Sequence, residues 1–193
     1  MIKRLDQLKA PATTDGRQIR SRSAMHQTLL QLLEQKTLEQ ISIRELAAAA
    51  GIGHATFYRH YSSKEALLND LAADEIRHMV QLTLPLLSES DSSAAWLEMC
   101  SYVDQHRQLW TTLLTGGAAS AVKEELLQIS REIAEQLYGD QPRANSDEME
   151  LTLILSVTTI LETLSWWLRQ ARPFKPQKVA GILQSRVEFR SAP

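Results

Sequence analysis

Between Ser42 and Leu68 the chain reads SIRELAAAAGIGHATFYRHYSSKEALL, and the punctuation of that stretch constrains the fold more than any other. Ser42 followed by Glu45 is an S-x-x-E capping box, in which the hydroxyl satisfies a free N–H of the first turn and the carboxylate reaches back. The run Ile43 to Ala50 propagates a helix readily, because Ala loses no side-chain entropy. Gly51 supplies the left-handed residue that commonly ends a helix. A second helical segment starts at His54, with Gly53 as a permissive but weaker cap, and Ser62 with Glu65 repeats the capping box to open a third.

Ile43, Leu46, Ala47 and Ala50 fall at i, i+3, i+4 and i+7, a single helical stripe. Ala47 and Gly51 are small where two helices must cross closely, and Phe57, Tyr61, Leu67 and Leu68 close the core from the other side. Helix, short Gly-containing turn, helix is the helix-turn-helix pattern, whose second member lies in the DNA major groove. An Ala-rich helical hairpin with no nucleic-acid role fits the same periodicity, and periodicity alone leaves the two readings open.

Residue choice separates them. Glu45-Leu46-Ala47, Ala50-Gly51-Ile52, Gly53, His54, Ala55, Thr56, Phe57, Tyr58, Arg59, His60, Tyr61 and Lys64 stand at the spacing of a known pattern. The stretch resembles the DNA-binding domain of the TetR family of transcriptional regulators. The resemblance covers about a third of the chain, with two departures: Gly53 stands where the family often has Ser, and Lys36-Thr37 where many members have a Gly. It implies that Thr56, Tyr58, His60 and Lys64 contact phosphates, and each carries a donor suited to that. His54 and Ala55, at the exposed start of the recognition helix, face base edges: imidazole toward a guanine or thymine acceptor, methyl toward a thymine methyl. Arg44 reaches a guanine or a phosphate, and Ala in place of Arg44 or Lys64 is expected to weaken binding and flatten its salt dependence. Packing is the competing role for Tyr58 and His60, and a solvated charge for Arg59.

Charge is distributed accordingly. Residues 1–64 hold ten Lys or Arg against five Asp or Glu, while residues 65–193 hold eleven against eighteen, within an overall charge of −2. With 193 residues, 44% hydrophobic and 23% charged, the chain has the composition of a globular protein of one or two domains. A lone Cys100 excludes an internal disulfide, and no cysteine pair suggests zinc. The first residues lack the apolar segment of a signal peptide, so a cytoplasmic location is expected. Leu151 to Leu168 is apolar enough to raise a membrane span, but its length is marginal and it contains Glu162, so a buried interface helix is the better reading.

In order, residues 1–16 read as a flexible tail, 17–64 as the helix-turn-helix domain and 65–193 as a sensing and dimerisation domain. Arg17, Arg20 and Arg22 precede or enter the first helix (Gln18 to Gln35), and Arg22 is counted with the DNA contacts; a solvated basic entry is the alternative. Helix 4 runs from the Ser62 cap to about Leu84, where Pro85 interrupts it, and links the two domains. A polar turn spans Ser88 to Ser93. Helices follow over Ala94 to the break at Gly116-Gly117, Ala118–Tyr138, Asp147–Ala171 and Gln177–Phe189, with a Pro142-containing loop over 139–146. The expected fold is all-α: a three-helix DNA-binding head and a C-terminal helical bundle that dimerises.

In the long helix, Thr152, Ser156, Thr159 and Thr163 recur at spacings of four, three and four, forming a seam of small residues that lets helices approach closely. The resemblance implies that the last two helices pair with their symmetry mates in a four-helix interface. It also implies a small-molecule effector bound among the C-terminal helices. Trp96, Met99, Cys100, Tyr102, Trp110 and Trp167 are candidate walls, with plain core as the alternative, and Glu162 is a candidate anchor for a cationic ligand or partner for an Arg across the dimer. No cofactor or metal is expected. The five His are scattered, and no HExxH, GxSxG or phosphate-cradling Gly loop occurs, which argues against an enzyme. The expected function is a repressor that binds a palindromic operator as a homodimer and is released by a ligand. A constitutive activator and a helical protein-interaction adaptor are the alternatives.

Overall fold

The computed structural model describes residues 16–88, 92–138, 147–171 and 173–187. The expected tail before Gly16, the middle of the 88–93 turn, the 139–146 loop and the last helix beyond Val187 lie outside the described residues. Among those described the regular structure is entirely helical, as expected. The chain divides between Lys64 and Glu65 into two compact units.

The first unit comprises α1 (Gly16–Leu33), a 3-10 turn (Leu38–Gln40), α2 (Ile43–Ala49) and α3 (His54–His60). Helix α2 packs on both α1 and α3. Met25, Leu29 and Leu33 form the buried stripe of α1 and share a core with Leu38, Ile41, Leu46, Ala47, Phe57 and Tyr61. Burying a side chain of the Phe57 or Leu46 kind contributes about 1.5 to 3 kcal/mol, so these few residues dominate a small core. His26 Nε2 and Tyr61 Oη lie 3.2 Å apart inside it, giving both buried polar groups a partner.

Ser42 caps α2 as expected, its Oγ accepting from the Glu45 N–H at 3.1 Å. The Glu45 carboxylate goes mainly to Lys36 Nζ, and that pair, followed by the Ser42 backbone N–H, holds the carboxyl below its ordinary range. Lys36, a departure from the family pattern, therefore ties the loop after α1 to α2. Gly51 has φ +66°. The Ile52 N–H donates to Ala47 O at 3.0 Å and the Gly51 N–H to Ala48 O at 3.1 Å, the paired bonds of a Schellman motif.

In the second unit, α4 (Lys64–Thr83, of which Glu65 onward belongs here) passes into a 3-10 turn (Leu84–Ser88) at Pro85. Then come α5 (Ser93–Gln105), α6 (Arg107–Thr115), α7 (Ala119–Tyr138), α8 (Asp147–Leu168) and α9 (Pro176–Val187). Helix α5 packs along α9, and α8 touches α6, α7 and α9. Pro176 is the first residue of α9, a position where its missing N–H costs nothing.

Shifts of one or two residues occur at both ends of α1 and at the start of α4, which begins at Lys64 rather than directly after Ser62, and two boundaries move further. The helix expected from Ala94 to Gly116 breaks at His106 (φ −108°, ψ 37°), although no Gly or Pro stands there. The His106 ring packs on Tyr102 at 4.7 Å, and Arg107 Nη2 donates to the carbonyls of Trp167 and Leu168 at 2.7 and 3.1 Å. That same pair of bonds caps α8 at Leu168, three residues short of the expected end. Tertiary pairing outweighs helix propensity at both places.

Gly51→Ala places a Cβ in the left-handed region and is expected to destabilise the chain by about 1 to 2 kcal/mol, read as a lower denaturation midpoint in urea.

Candidate nucleic-acid interface

Helix α3 begins at Gly53 (φ −71°, ψ 147°), where no side chain caps it; the Gly53 carbonyl accepts from the Thr56 and Phe57 N–H groups at 2.8 and 3.2 Å. Phe57 is fully buried and sets the rotation of the helix. With Phe57 inward, His54, Ala55, Tyr58 and Arg59 are exposed and Thr56 and His60 half-buried. The Tyr58 side chain is 51% exposed. Its ring is braced edge-on by His54 at 5.0 Å and by Phe57 at 5.5 Å, which holds the phenol at the surface in one place. Arg44 is exposed near the start of α2, and Arg22 on α1 is half-buried.

His60 is not turned wholly outward. Its Nε2 lies 2.8 Å from Ser21 Oγ, and Ser21 Oγ is itself within donating distance of the carbonyls of Arg17 and Gln18, at 2.9 and 3.1 Å. A hydroxyl has one proton, so Ser21 donates to its own helix and accepts from His60, which places the neutral ring's proton on Nε2 by the logic of the network. Burial first, then the charges of Arg59 and Arg22, push the His60 imidazole below its ordinary 6.5. Ser21 was not legible as a functional residue, because it lies 39 positions from its partner.

Lys64 departs further from expectation. Its Nζ donates to Leu38 O at 2.6 Å, Ile41 O at 3.0 Å and Glu39 O at 3.3 Å. An ammonium has three donors, and all three are engaged within the unit, so Lys64 is not presented to a phosphate in this structure. Arg44 of α2 and His54, Ala55 and Tyr58 of α3 are thus exposed and Thr56 half-buried, while the Lys64 ammonium is turned to the carbonyls of Leu38, Glu39 and Ile41.

The sequence pattern of bacterial regulatory proteins of the tetR family matches residues 27–71. Residues 27–71 form a TetR-family domain. Across 59 residues the chain is 41% identical to the HTH-type transcriptional regulator EthR of Mycobacterium tuberculosis, and equally to that of Mycobacterium bovis. That match takes in 31% of this chain and spans only 27% of those relatives' length. Solved structures extend the likeness of fold over most of the chain. A TetR transcriptional regulator from Streptococcus agalactiae superposes with a TM-score of 0.60 at 21% identity, covering 89% of this chain and 96% of its own. FadR of Thermus thermophilus, a TetR-family repressor solved with lauroyl-CoA, gives 0.62 at 18% identity over 89% and 97%. The TetR-family head is thus followed by helices arranged as in these regulators.

Of the expected effector walls in the second unit, Trp96, Met99, Cys100, Trp110 and Trp167 are buried and Tyr102 is half-buried. Tyr102 Oη donates to Glu75 Oε2 at 2.7 Å, and burial with that carboxylate pushes the phenol upward. Trp110 Nε1 is buried and has no hydrogen-bond partner among the described residues. Burial, then the charge of Asp104, push the Cys100 thiol up to about 12. Glu162 does not join this group. It is exposed on α8 and lines a separate cleft of about 190 Å³ with Lys123, Ser120, Thr158 and Leu161, because the apolar side of α8 that points inward carries Val157, Leu161 and Leu164 instead.

A histidine whose pKa is lower folded than unfolded contributes stability that is full above the unfolded value and is lost as pH falls toward the folded one. The His60 ring is therefore expected to titrate below 6.5 by NMR in the free chain, and stability to fall on acidification from that pH, with the slope reduced in His60→Asn.

Proposed function

We propose that the chain is a transcriptional regulator that binds duplex DNA through the α2–α3 surface, as a dimer on a palindromic operator, and is released by a small molecule. The observation that carries the DNA-binding part is the outward face of α3, where His54, Ala55 and the braced Tyr58 stand exposed beside Arg44 on a TetR-family head. Base edges fall to His54 and Ala55, phosphates to Thr56, Tyr58 and Arg44, and the His60 Nε2–H stays with Ser21 until a phosphate oxygen replaces that hydroxyl as its acceptor.

Dimerisation is supported by what α8 and α9 leave uncovered. Leu151 and Leu155 are 56% and 57% exposed and Trp166 48%, with Phe174 and Ile182 exposed nearby. By length and composition α8 is also apolar enough to cross a membrane, with a mean hydropathy of 1.5 and a third of the window buried. A second copy is the better partner for it. The half-buried seam of Thr152, Ser156, Thr159 and Thr163 lies beside the apolar face. Ser156 and Thr159 hydroxyls already donate to the carbonyls of Thr152 and Leu155, at 2.9 and 2.8 Å, so they enter a dry contact without unpaired donors.

For the effector, Trp96, Met99, Cys100, Trp110 and Trp167 are buried apolar side chains, and the Trp110 N–H, without a partner among the described residues, is a donor for a ligand carbonyl or carboxylate. Release then follows as a population shift between dimers with differently spaced heads, transmitted along α4. Repression is the reading preferred over activation, in keeping with the family.

Fluorescence anisotropy on the DNA flanking the chain's own coding sequence tests the reading. Affinity is expected to fall steeply with salt, and Arg44→Ala to weaken it and flatten the log–log slope by about 0.9 if one phosphate contact is lost. No binding even at about 50 mM salt defeats it. For the dimer, Leu155→Glu puts a charge in the middle of the exposed face. It is expected to shift the sedimenting species from dimer to monomer while helicity is retained, and an unchanged dimer would remove α8 from the interface.

A further inference from the structure

Lys64 is the first residue of α4, and the oxygens it reaches lie on Leu38, Glu39 and Ile41, 23 to 26 positions earlier in the chain. Everything between those points is the helix-turn-helix itself: the Ser42 cap, α2, the Gly51 turn and α3. The contact therefore joins the entry of the two-helix unit to its exit.

The chemistry on both sides suits a lasting contact. The 3-10 turn Leu38–Gln40 is a single turn, so its carbonyls have few backbone N–H partners, and the end of such a turn carries partial negative charge. Leu38 and Ile41 are buried by their side chains, which fixes where their oxygens point. A compact tetrahedral ammonium can meet oxygens converging from different directions, whereas a planar guanidinium cannot. Ile41 is followed at once by the Ser42 cap and then by Arg44, so a shift of this segment moves the start of α2.

Resting on the DNA-binding reading above, we propose that Lys64 is a positioning residue for duplex recognition: it clasps the two ends of the helix-turn-helix so that Arg44 and α3 are presented together, and it does not itself neutralise a phosphate. A phosphate contact and a clasp respond differently to salt and to the choice of replacement. Removing a phosphate contact lowers affinity and flattens the salt slope by about 0.9. Removing a clasp lowers the population of the competent arrangement and leaves the slope alone.

The experiment compares Lys64→Met, Lys64→Gln and Lys64→Arg in the full chain, by anisotropy on the flanking duplex from about 50 to about 200 mM salt. The clasp predicts that K64M binds about tenfold more weakly, as the competent fraction falls, with an unchanged slope. K64Q, a neutral amide that still donates to carbonyls, recovers most of the affinity, and K64R does not. A slope flattened by about 0.9 in both K64M and K64Q, restored by K64R, makes Lys64 a phosphate contact and overturns the proposal. Unchanged affinity in K64M overturns it too. Should K64M fail to fold, the contrast between K64Q and K64R decides. A wild-type chain that ignores duplex DNA defeats the functional reading instead. In that event amide hydrogen exchange judges the clasp: the Glu45 and Leu46 N–H groups, bonded to Ser42 at 3.1 and 3.0 Å, exchange faster in K64M than in wild type or K64Q if it exists and equally in all three if it does not.

Discussion

The reversal at Gly51 is what the recognition surface depends on. Two backbone bonds close it, Ile52 to Ala47 and Gly51 to Ala48, and they are possible only because the residue between them adopts φ +66° without a Cβ penalty. Once the chain has turned there, Ala47 brings α2 close and Phe57 rotates α3 so that Tyr58 must point away from the core. The exposed donors are therefore a consequence of packing, which is how a seven-residue helix too short to be stable alone can hold a fixed face.

Around that reversal the unit is tied by polar contacts between residues distant in sequence. Lys36 meets Glu45, His26 meets Tyr61, Ser21 meets His60 and Lys64 meets the 38–41 carbonyls. Water screens a surface pair such as Lys36–Glu45, so the bulk of the stability comes from the apolar core. What the ties contribute is relative placement. The second unit is braced the same way: Arg77 bridges α4 to Glu125 of α7 at 2.8 Å, and Arg131 grips Glu150 with two nitrogens. Arg107 lies over the Trp167 ring at 5.3 Å while capping α8.

Which parts of this were legible in the sequence follows from the range of the interactions. The Ser42 cap, the Gly51 terminus and the Leu46–Ala47 stripe of α2 are local or periodic, and pattern reading found them. The all-helical class followed from the same periodicities. The break at His106 was invisible, since it is made by Tyr102 and by carbonyls on α8, 60 and 61 positions beyond Arg107. The inward turn of Lys64 was hidden for the same reason: residue type says only that an ammonium seeks oxygen, and a backbone carbonyl is as good a partner in composition as a phosphate. Glu162 was read from its isolation in an apolar helix, but the rotation of α8 about its axis, set by Val157 and Leu164, put it outside.

The state of Cys100 carries a practical implication. The only thiol in the chain is fully buried and, with its pKa raised to about 12, is scarcely ionised at neutral pH, so it presents almost no nucleophile to maleimides, methanethiosulfonates or peroxide. A spin label or fluorophore attached through a cysteine introduced on α3 would report from that position alone, in the otherwise natural sequence. In the dimer proposed above, two such labels would report whether an added small molecule changes the distance between them.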